Sequence, residues 1–435
     1  MGFGAAAGLT RAAACACVLA CSSLAKAGPN LQIVGEASGG YTDNVTSSPN
    51  QPVPGLPAKA GGAFAVLSPG LVLALAAPRN QHRLAYAYTY VLFVDSAVPN
   101  TSAHRLSYAG FFDLSPSVAL VLGSNLVQSK ADTASTVGTD ASLLPGAVSF
   151  LTATVDELLT FDLASRWRSW LATDVLLQTA LAGGNNPQTT SVGGRTGIEH
   201  TWRTDSLGVE ARENYAVITH GVLLDGSPAG TQQQLTTTAL GQWRHDLGQH
   251  FTGRVEAGAL RVDRLNTRTV LWSPAGTAAL TYTNDQGDAE LSYTHAVTTN
   301  PLLGQFLLVD EVRLHGGLPL MPNGRLLLAA SAAYQQGRLL DQDANLAARL
   351  DTLLADVGPA WQATDLLLLD LRYQYVRRWS DVSLPPLPLS FTRNTLLLGA
   401  TFRFPSESAM PRRYRAPQRV DRTDEIRDAD TPVER

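Results

Sequence analysis

Cysteine occurs only at positions 15, 17 and 21, so from residue 22 onward the chain has no thiol chemistry and no disulfide frame. Long apolar runs are also missing. No segment beyond the N-terminus supplies the roughly eighteen uninterrupted apolar residues of a membrane-crossing helix, which argues against a helical bundle. The eight histidines are scattered, there is no HExxH, and Gly193-Gly194 lacks the lysine and helix start of a phosphate loop. Together these gaps exclude the familiar metal, thiol and nucleotide signatures, and the chain reads as a non-enzyme with no cofactor. An excess of positive charge is missing too, since 33 basic residues stand against 37 acidic ones, and nothing suggests a nucleic-acid partner.

The N-terminus carries an address. Residues 1–27 hold one early positive charge, Arg11, then a small-and-apolar run from Ala12 to Leu19, and close on Ala25-Lys26-Ala27. This is the pattern of a secretory signal peptide cut between Ala27 and Gly28. Cleavage there removes every cysteine, together with Arg11 and Lys26, leaving 31 basic residues against 37 acidic. A rival reading is the lipobox-like Val18-Leu19-Ala20-Cys21, which would make Cys21 the acylated first residue.

Beyond the leader the dominant signal has period two. In residues 189–217, Thr196, Ile198, His200 and Trp202 alternate with Arg195, Gly197, Glu199 and Thr201. After a break at Thr204-Asp205, Leu207, Val209, Ala211 and Tyr215 alternate with Gly208, Glu210, Arg212 and Asn214. Two such arms make a hairpin, and arms that pass about ten residues suit tilted strands crossing a bilayer.

The unit repeats along the chain. Strands are expected at 31–41, 63–77, 82–94, 104–114, 118–128, 157–168 and 170–181, and then in the two arms of that hairpin. They continue at 231–245, 250–263, 269–282, 288–299, 305–318, 325–337, 347–362, 366–378 and 391–404, eighteen in all. Leu84, Tyr86, Tyr88, Tyr90 and Leu92 share one face, as do Leu396, Leu398, Ala400, Phe402 and Phe404, and these faces are the lipid candidates.

Long or proline-rich links begin near Thr42, Asp95, Ser129, Ile218 and Trp379, all at odd positions in the strand order, while the tight turns fall at even ones. That alternation is expected of a barrel with short periplasmic turns and longer outer loops, and a secreted sandwich would not need it. The expected fold is all-β: a single transmembrane antiparallel up-and-down barrel of eighteen strands over residues 28–404. It follows a signal peptide at 1–27 and precedes a charged, disordered periplasmic tail at 405–435.

The leader, the cysteine-free amphipathic strands, the opening Gly39-Gly40-Tyr41-Thr42-Asp43-Asn44-Val45 and the aromatic strand end at Phe404 resemble Gram-negative outer-membrane β-barrels. Within that class the chain is similar to the eighteen-stranded porins that partner polysaccharide-export lipoproteins. The resemblance implies an outer-membrane location, contact with outer-membrane lipid, a polysaccharide as the transported substrate and a periplasmic polysaccharide-export protein as partner. Such barrels end at the terminal aromatic, whereas here residues 405–435 follow, which makes the tail a candidate docking arm.

The non-apolar parity puts Arg195, Glu199, Glu210, Arg212, Arg254, Glu256, Glu311, Arg313, Asp370 and Arg372 inside the barrel, with Gln232, Gln234, Thr236, Thr238 and Gln242 along one strand. The set is mixed in sign and rich in donors and acceptors. A polymer of sugars slides on weak, repeated hydrogen bonds of this kind. The same parity places His200 at lipid or an interfacial girdle and His315 in the lumen. A general or small-solute diffusion porin and a structural or adhesive barrel remain the alternatives; residues 129–154 could serve the first as a constriction loop.

Overall fold

The computed structural model describes residues 29–45, 48–50, 58–77, 79–94, 100–130, 149–181, 188–222, 228–284, 287–300, 305–321, 324–339, 349–380 and 390–404. The expected signal peptide, the Cys21 lipobox and the 405–435 tail lie outside these residues. Eighteen strands are present: β1 (Pro29–Thr42), β2 (Gly62–Ala76), β3 (Asn80–Phe93), β4 (Thr101–Ser115), β5 (Val118–Lys130), β6 (Ser149–Ala164), β7 (Trp167–Ala180), β8 (Gln188–Thr201) and β9 (Asp205–Val222). They continue with β10 (Pro228–Asp246), β11 (Phe251–Arg264), β12 (Thr269–Asn284), β13 (Gly287–Asn300), β14 (Gln305–Pro319), β15 (Leu326–Leu339), β16 (Arg349–Gln362), β17 (Leu367–Ser380) and β18 (Phe391–Phe404). Each pairs antiparallel with the next, and β1 pairs with β18 from Ile33↔Phe404 to Thr42↔Thr395, so the sheet closes on itself.

One face can be followed without a break through the registers. Ile33 lies opposite Leu71, Leu71 opposite Tyr86, Tyr86 opposite Leu106 and Leu106 opposite Leu126. On the far side Val357 meets Tyr373, Tyr373 meets Leu396 and Leu396 meets Tyr41, which returns to the start. This face carries the exposed apolar side chains, among them Leu398 at 64% and Trp272 at 66% relative exposure. Leaving one such side chain in water forgoes about 1.5–3 kcal/mol, and the wall presents dozens, so the surrounding medium has to be lipid.

Aromatic side chains gather toward both ends of this face. Trp167, His200 and Trp202 stack at the short-turn end, where Phe251 also packs on Tyr282, and Tyr334 stacks on Trp379 at the long-loop end. These are the two interfacial girdles of a spanning barrel. By the usual sidedness of such barrels, the short-turn end is periplasmic and the long-loop end is the outer rim.

The sequence expectation needs correction in the region of the sixth and seventh strands. Residues 129–154 are not all loop: β5 runs to Lys130 and β6 begins at Ser149. The hairpin turn falls at Ser165-Arg166 rather than after Arg168: β6 ends at Ala164, which pairs with Trp167 at the start of β7, and Leu163 and Trp167 are both exposed. Trp202 belongs to the turn before Asp205, where its N–H donates to the Asp205 carbonyl, and not to the strand.

Three prolines interrupt ladders, as a residue without an N–H must. The β2–β3 register skips Ser68 and Pro69 and resumes at Gly70, and the β16–β17 register skips Gly358 and Pro359 and resumes at Ala360. At Pro274 pairing does not resume. The β12–β13 ladder runs from Asn284↔Gly287 only to Gly276↔His295, although β12 continues to Thr269 and β13 to Asn300. Above that point β12 stays paired to β11 and β13 to β14.

The first and last strands are fastened at the outer rim by the segment that opens Gly39-Gly40-Tyr41. The Asp43 N–H donates to the Asn394 carbonyl at 3.1 Å, and the Asn394 N–H and side-chain amide donate to the Asp43 carboxylate at 2.7 and 2.9 Å. Asn44 is fully buried and donates to the carbonyls of Ser48 and Thr392 at 2.8 and 3.0 Å. Lys59 completes the clasp with a 3.1 Å ion pair to Asp43.

Candidate functional site in the barrel interior

The opposite face of the wall lines the interior, and alternation decides which side chains reach it. On β7 it presents Arg168, Trp170, Ala172 and Asp174; on β8, Gly193, Arg195, Gly197 and Glu199; on β9, Glu210 and Arg212. On β10 it presents Gln232, Gln234 and Gln242, and on β11 Arg254 and Glu256. Glu311 and Arg313 of β14, and Asp370 and Arg372 of β17, share the same face. His200 projects outward into the periplasmic girdle.

Part of this set converges on one spot. Arg212 forms ion pairs with Glu210 of its own strand and, at 3.0 Å, with Glu256 of β11, and Arg254 closes on Glu256 from the next turn of the pleat. Glu210 also receives the Trp170 indole N–H and the Gln242 amide, each at 3.0 Å. The Glu210 and Glu256 side chains are only 2% and 3% exposed, so their charges depend on these partners. On the flank, Arg195 lies directly opposite Arg212, and Asp156 of β6 lies opposite Asp174.

The remaining expected residues form separate pairs. Glu311 bonds Arg313 at 2.7 Å on β14, and Asp370 bonds Arg372 at 3.0 Å on β17, neither of them in the β9–β11 cluster. Gln234 is buried and donates to Thr236 at 3.0 Å. At the periplasmic end Asp162 of β6 pairs with Arg168 of β7 at 3.0 Å. Acid and arginine two residues apart on one strand share a face and bond each other in every one of the pairs Glu210–Arg212, Arg254–Glu256, Glu311–Arg313 and Asp370–Arg372.

Sequence reading missed Trp170 and Asp174, which it left unassigned between faces, and the inward apolar residues Leu158, Ala216, Ile218, Leu240, Leu260 and Val262, all buried. Leu158, Trp170 and Ala172 form a compact apolar group beside the charged cluster. The signal for Trp170 was available in its spacing from Asp174, since both are even-numbered on a strand whose odd positions include exposed Trp167, Leu171 and Leu177. What the interior offers chemically is a wall of self-neutralised charges with amide and hydroxyl groups between them, and no strong field of one sign.

A closed eighteen-stranded barrel with a lipid-facing apolar band and a polar interior defines an outer-membrane β-barrel protein of the Gram-negative envelope. No family model matches the chain, and no curated protein matches it. Among solved structures it is similar to the siderophore receptor PirA from Pseudomonas aeruginosa, with 10% identity over 86% of this chain and 80% of that one and a TM-score of 0.45. It is also similar to the alcaligin outer membrane receptor FauA from Bordetella pertussis, with 12% identity over 86% and 76% of the two chains and a TM-score of 0.43. A third match is the ferripyoverdine receptor of Pseudomonas aeruginosa, with 9% identity over 87% and 72% and a TM-score of 0.43. None of these three is a polysaccharide porin.

Proposed function

We propose that the barrel is a conduit for a polysaccharide, capsular or exopolysaccharide, moving outward across the outer membrane, with a periplasmic polysaccharide-export protein as its partner. The observation that carries this reading is the pairing of the interior charges: Arg168, Arg212, Arg254, Arg313 and Arg372 each hold a carboxylate at bonding distance. A strongly charged well would trap a polymer of opposite sign. A neutralised wall with half-buried amides and hydroxyls such as Gln232, Thr236 and Thr238 supports shallow, repeated hydrogen bonds, which a long hydroxylated chain exchanges as it slides.

The test is genetic and steric. Deleting the gene removes surface polymer while the synthesis genes stay expressed. The pair Ser331→Trp with Thr160→Trp reproduces that loss without unfolding the barrel. These inward residues sit on β15 and β6, nine strands apart and so on opposite walls. A deletion strain with normal surface polymer but slower uptake of small solutes would replace export with the diffusion porin.

A further inference from the structure

Where the β12–β13 ladder stops, the two strands do not simply part. The upper end of β13–β14 is drawn inside the ring. Val297, Phe306 and Leu308 belong by register to the outer face, opposite one another or one pair away from lipid-facing neighbours. Yet Phe306 is only 3% exposed and packs with Ala216 and Ile218 of β9, and Val297, Leu308 and the β12 residue Leu271 pack against that group. Ala216, Ile218 and Leu271 all point inward.

The same inversion appears in the polar contacts. Inward-facing Ser273 of β12 bonds outward-facing His295 of β13 at 3.1 Å, and His295 in turn meets Asp310 at 2.6 Å. An inner-face side chain can reach an outer-face one only if β13 lies inside β12. The wall here is therefore an overlap, with the inner faces of β9–β12 lying over the outer face of β13–β14. At this overlap β9 and β14, five strands apart round the ring, come within 8 Å between Cα atoms.

The height of this overlap gives it meaning. Each residue of a strand tilted by about 40° rises roughly 2.5 Å along the barrel axis, so Gly276 lies about 10 Å below Trp272. Trp272 is the exposed outer-girdle aromatic of β12, stacked under the Arg261 guanidinium. The lower part of the unpaired stretch, between Trp272 and Gly276, thus sits at the depth of the outer-leaflet hydrocarbon, where an open strand edge facing lipid is not tolerated. Pro274 stands in this lower part, in a segment paired on the β11 side alone, as proline in a strand prefers. The backbone ladder does not close this junction above Gly276↔His295, and side chains fill it.

We propose that the β12–β13 overlap is a lateral port between the barrel interior and the outer leaflet, taking an amphiphile with a hydrocarbon chain, and that the inward-drawn end of β13–β14 is its shutter. The apolar layer of Ile218, Leu271, Val297, Phe306 and Leu308 matches the chain, and the His295–Asp310–Ser273 group bounds that layer on its periplasmic side. This port is independent of what travels along the barrel axis.

The test uses the full-length protein in phosphatidylethanolamine–phosphatidylglycerol vesicles containing phosphatidylcholine with a diazirine on its acyl chain. After photolysis, mass spectrometry finds adducts at Leu271, Val297, Phe306 or Leu308, in addition to the plainly lipid-facing Leu280 and Leu291. Ala275→Cys and Ala296→Cys occupy the positions that would pair next if the ladder continued. Joining them with a short bis-methanethiosulfonate linker abolishes the first group of adducts, leaves those at Leu280 and Leu291, and is reversed by reduction. A diazirine lysophosphatidylcholine added from water separates the sources: adducts at Ile218 and Phe306 that survive the linker arrive through the mouth, and those lost arrive through the bilayer. Absence of the first group in unlinked protein, or its persistence in linked protein with the bilayer probe, overturns the port.

Discussion

A Cβ on Gly197 would stand 2.2 Å from the Trp170 ring, and one on Gly193 would stand 2.4 Å from the Asp174 carboxylate. Interior side chains therefore lie flat along the wall, over glycines of the adjoining strand, instead of reaching toward the axis. Gly197→Ala should displace the indole from Glu210 and lower stability by about 1–3 kcal/mol, the range for an overpacked site. Trp170→Leu should relieve most of that cost in the double variant, as read from urea-unfolding midpoints in micelles. Arg212→Met should be worse, because it strips the shared cation from two buried carboxylates; removing one partner of a buried ion pair costs about 3–5 kcal/mol. On β17, Leu371→Arg should cost roughly 2–4 kcal/mol as a lipid-facing cation, whereas Gln374→Arg faces the interior and should be tolerated. Equal damage from the two would refute the assigned faces.

Among the elements, the β1–β18 clasp has a built-in pH response. Partial burial opposes ionisation of Asp43, but the N–H and amide of Asn394 and the ammonium of Lys59 outweigh it and hold the carboxyl below its ordinary value of 3.8. A carboxylate depressed in the folded state contributes its full stability above the unfolded value and loses it as pH falls through the lower folded one. Unfolding midpoints should therefore drop below about pH 4, and Asp43→Asn should flatten that part of the profile. An unchanged acid profile in Asp43→Asn would show that the clasp does not depend on this charge.

The clasp also shows where sequence and structure part company. Thr42-Asp43-Asn44-Val45 stood out as a family-like signature, but its hydrogen bonds depend on Asn394 and Thr392, which no local pattern can bring near. Strands such as β18 were legible because their apolar faces alternate without interruption. The start of β6 was not, because Ser149, Thr152, Ala153 and Thr154 read equally as loop. Interior Leu240, Leu260 and Val262 break the alternation that parity reading relies on, and the Pro274 edge could be suspected from the proline but not the overlap it serves.

For the whole molecule, the sidedness of the links is the property most open to direct measurement. Cysteines introduced at Ala58 and Thr267, in links at the long-loop end, should react with an impermeant maleimide on intact cells. Cysteines at Arg203 and Asp365, in short turns, should react only after the outer membrane is permeabilised. Labelling of Arg203→Cys on intact cells would invert the barrel. The interior set itself was legible because every one of its charged members obeys period two; its grouping into one cluster on β7–β11 and isolated pairs on β14 and β17 was not, since strand neighbourhood across the sheet decides it.

The closure of β1 on β18 has a consequence for how the barrel comes into being. Asp43 and Asn394 are 351 residues apart, and bringing ends so distant together costs about 5 kcal/mol of chain entropy if nothing between them is yet ordered. Consecutive hairpins avoid that cost by forming first, each on its neighbour, so the β1–β18 junction is the last contact made. Until then the nascent sheet carries two raw edges, each able to pair with the edge of another copy. The bonds of Asp43 and Asn44 thus act late, on the race between a sheet closing on itself and two sheets joining.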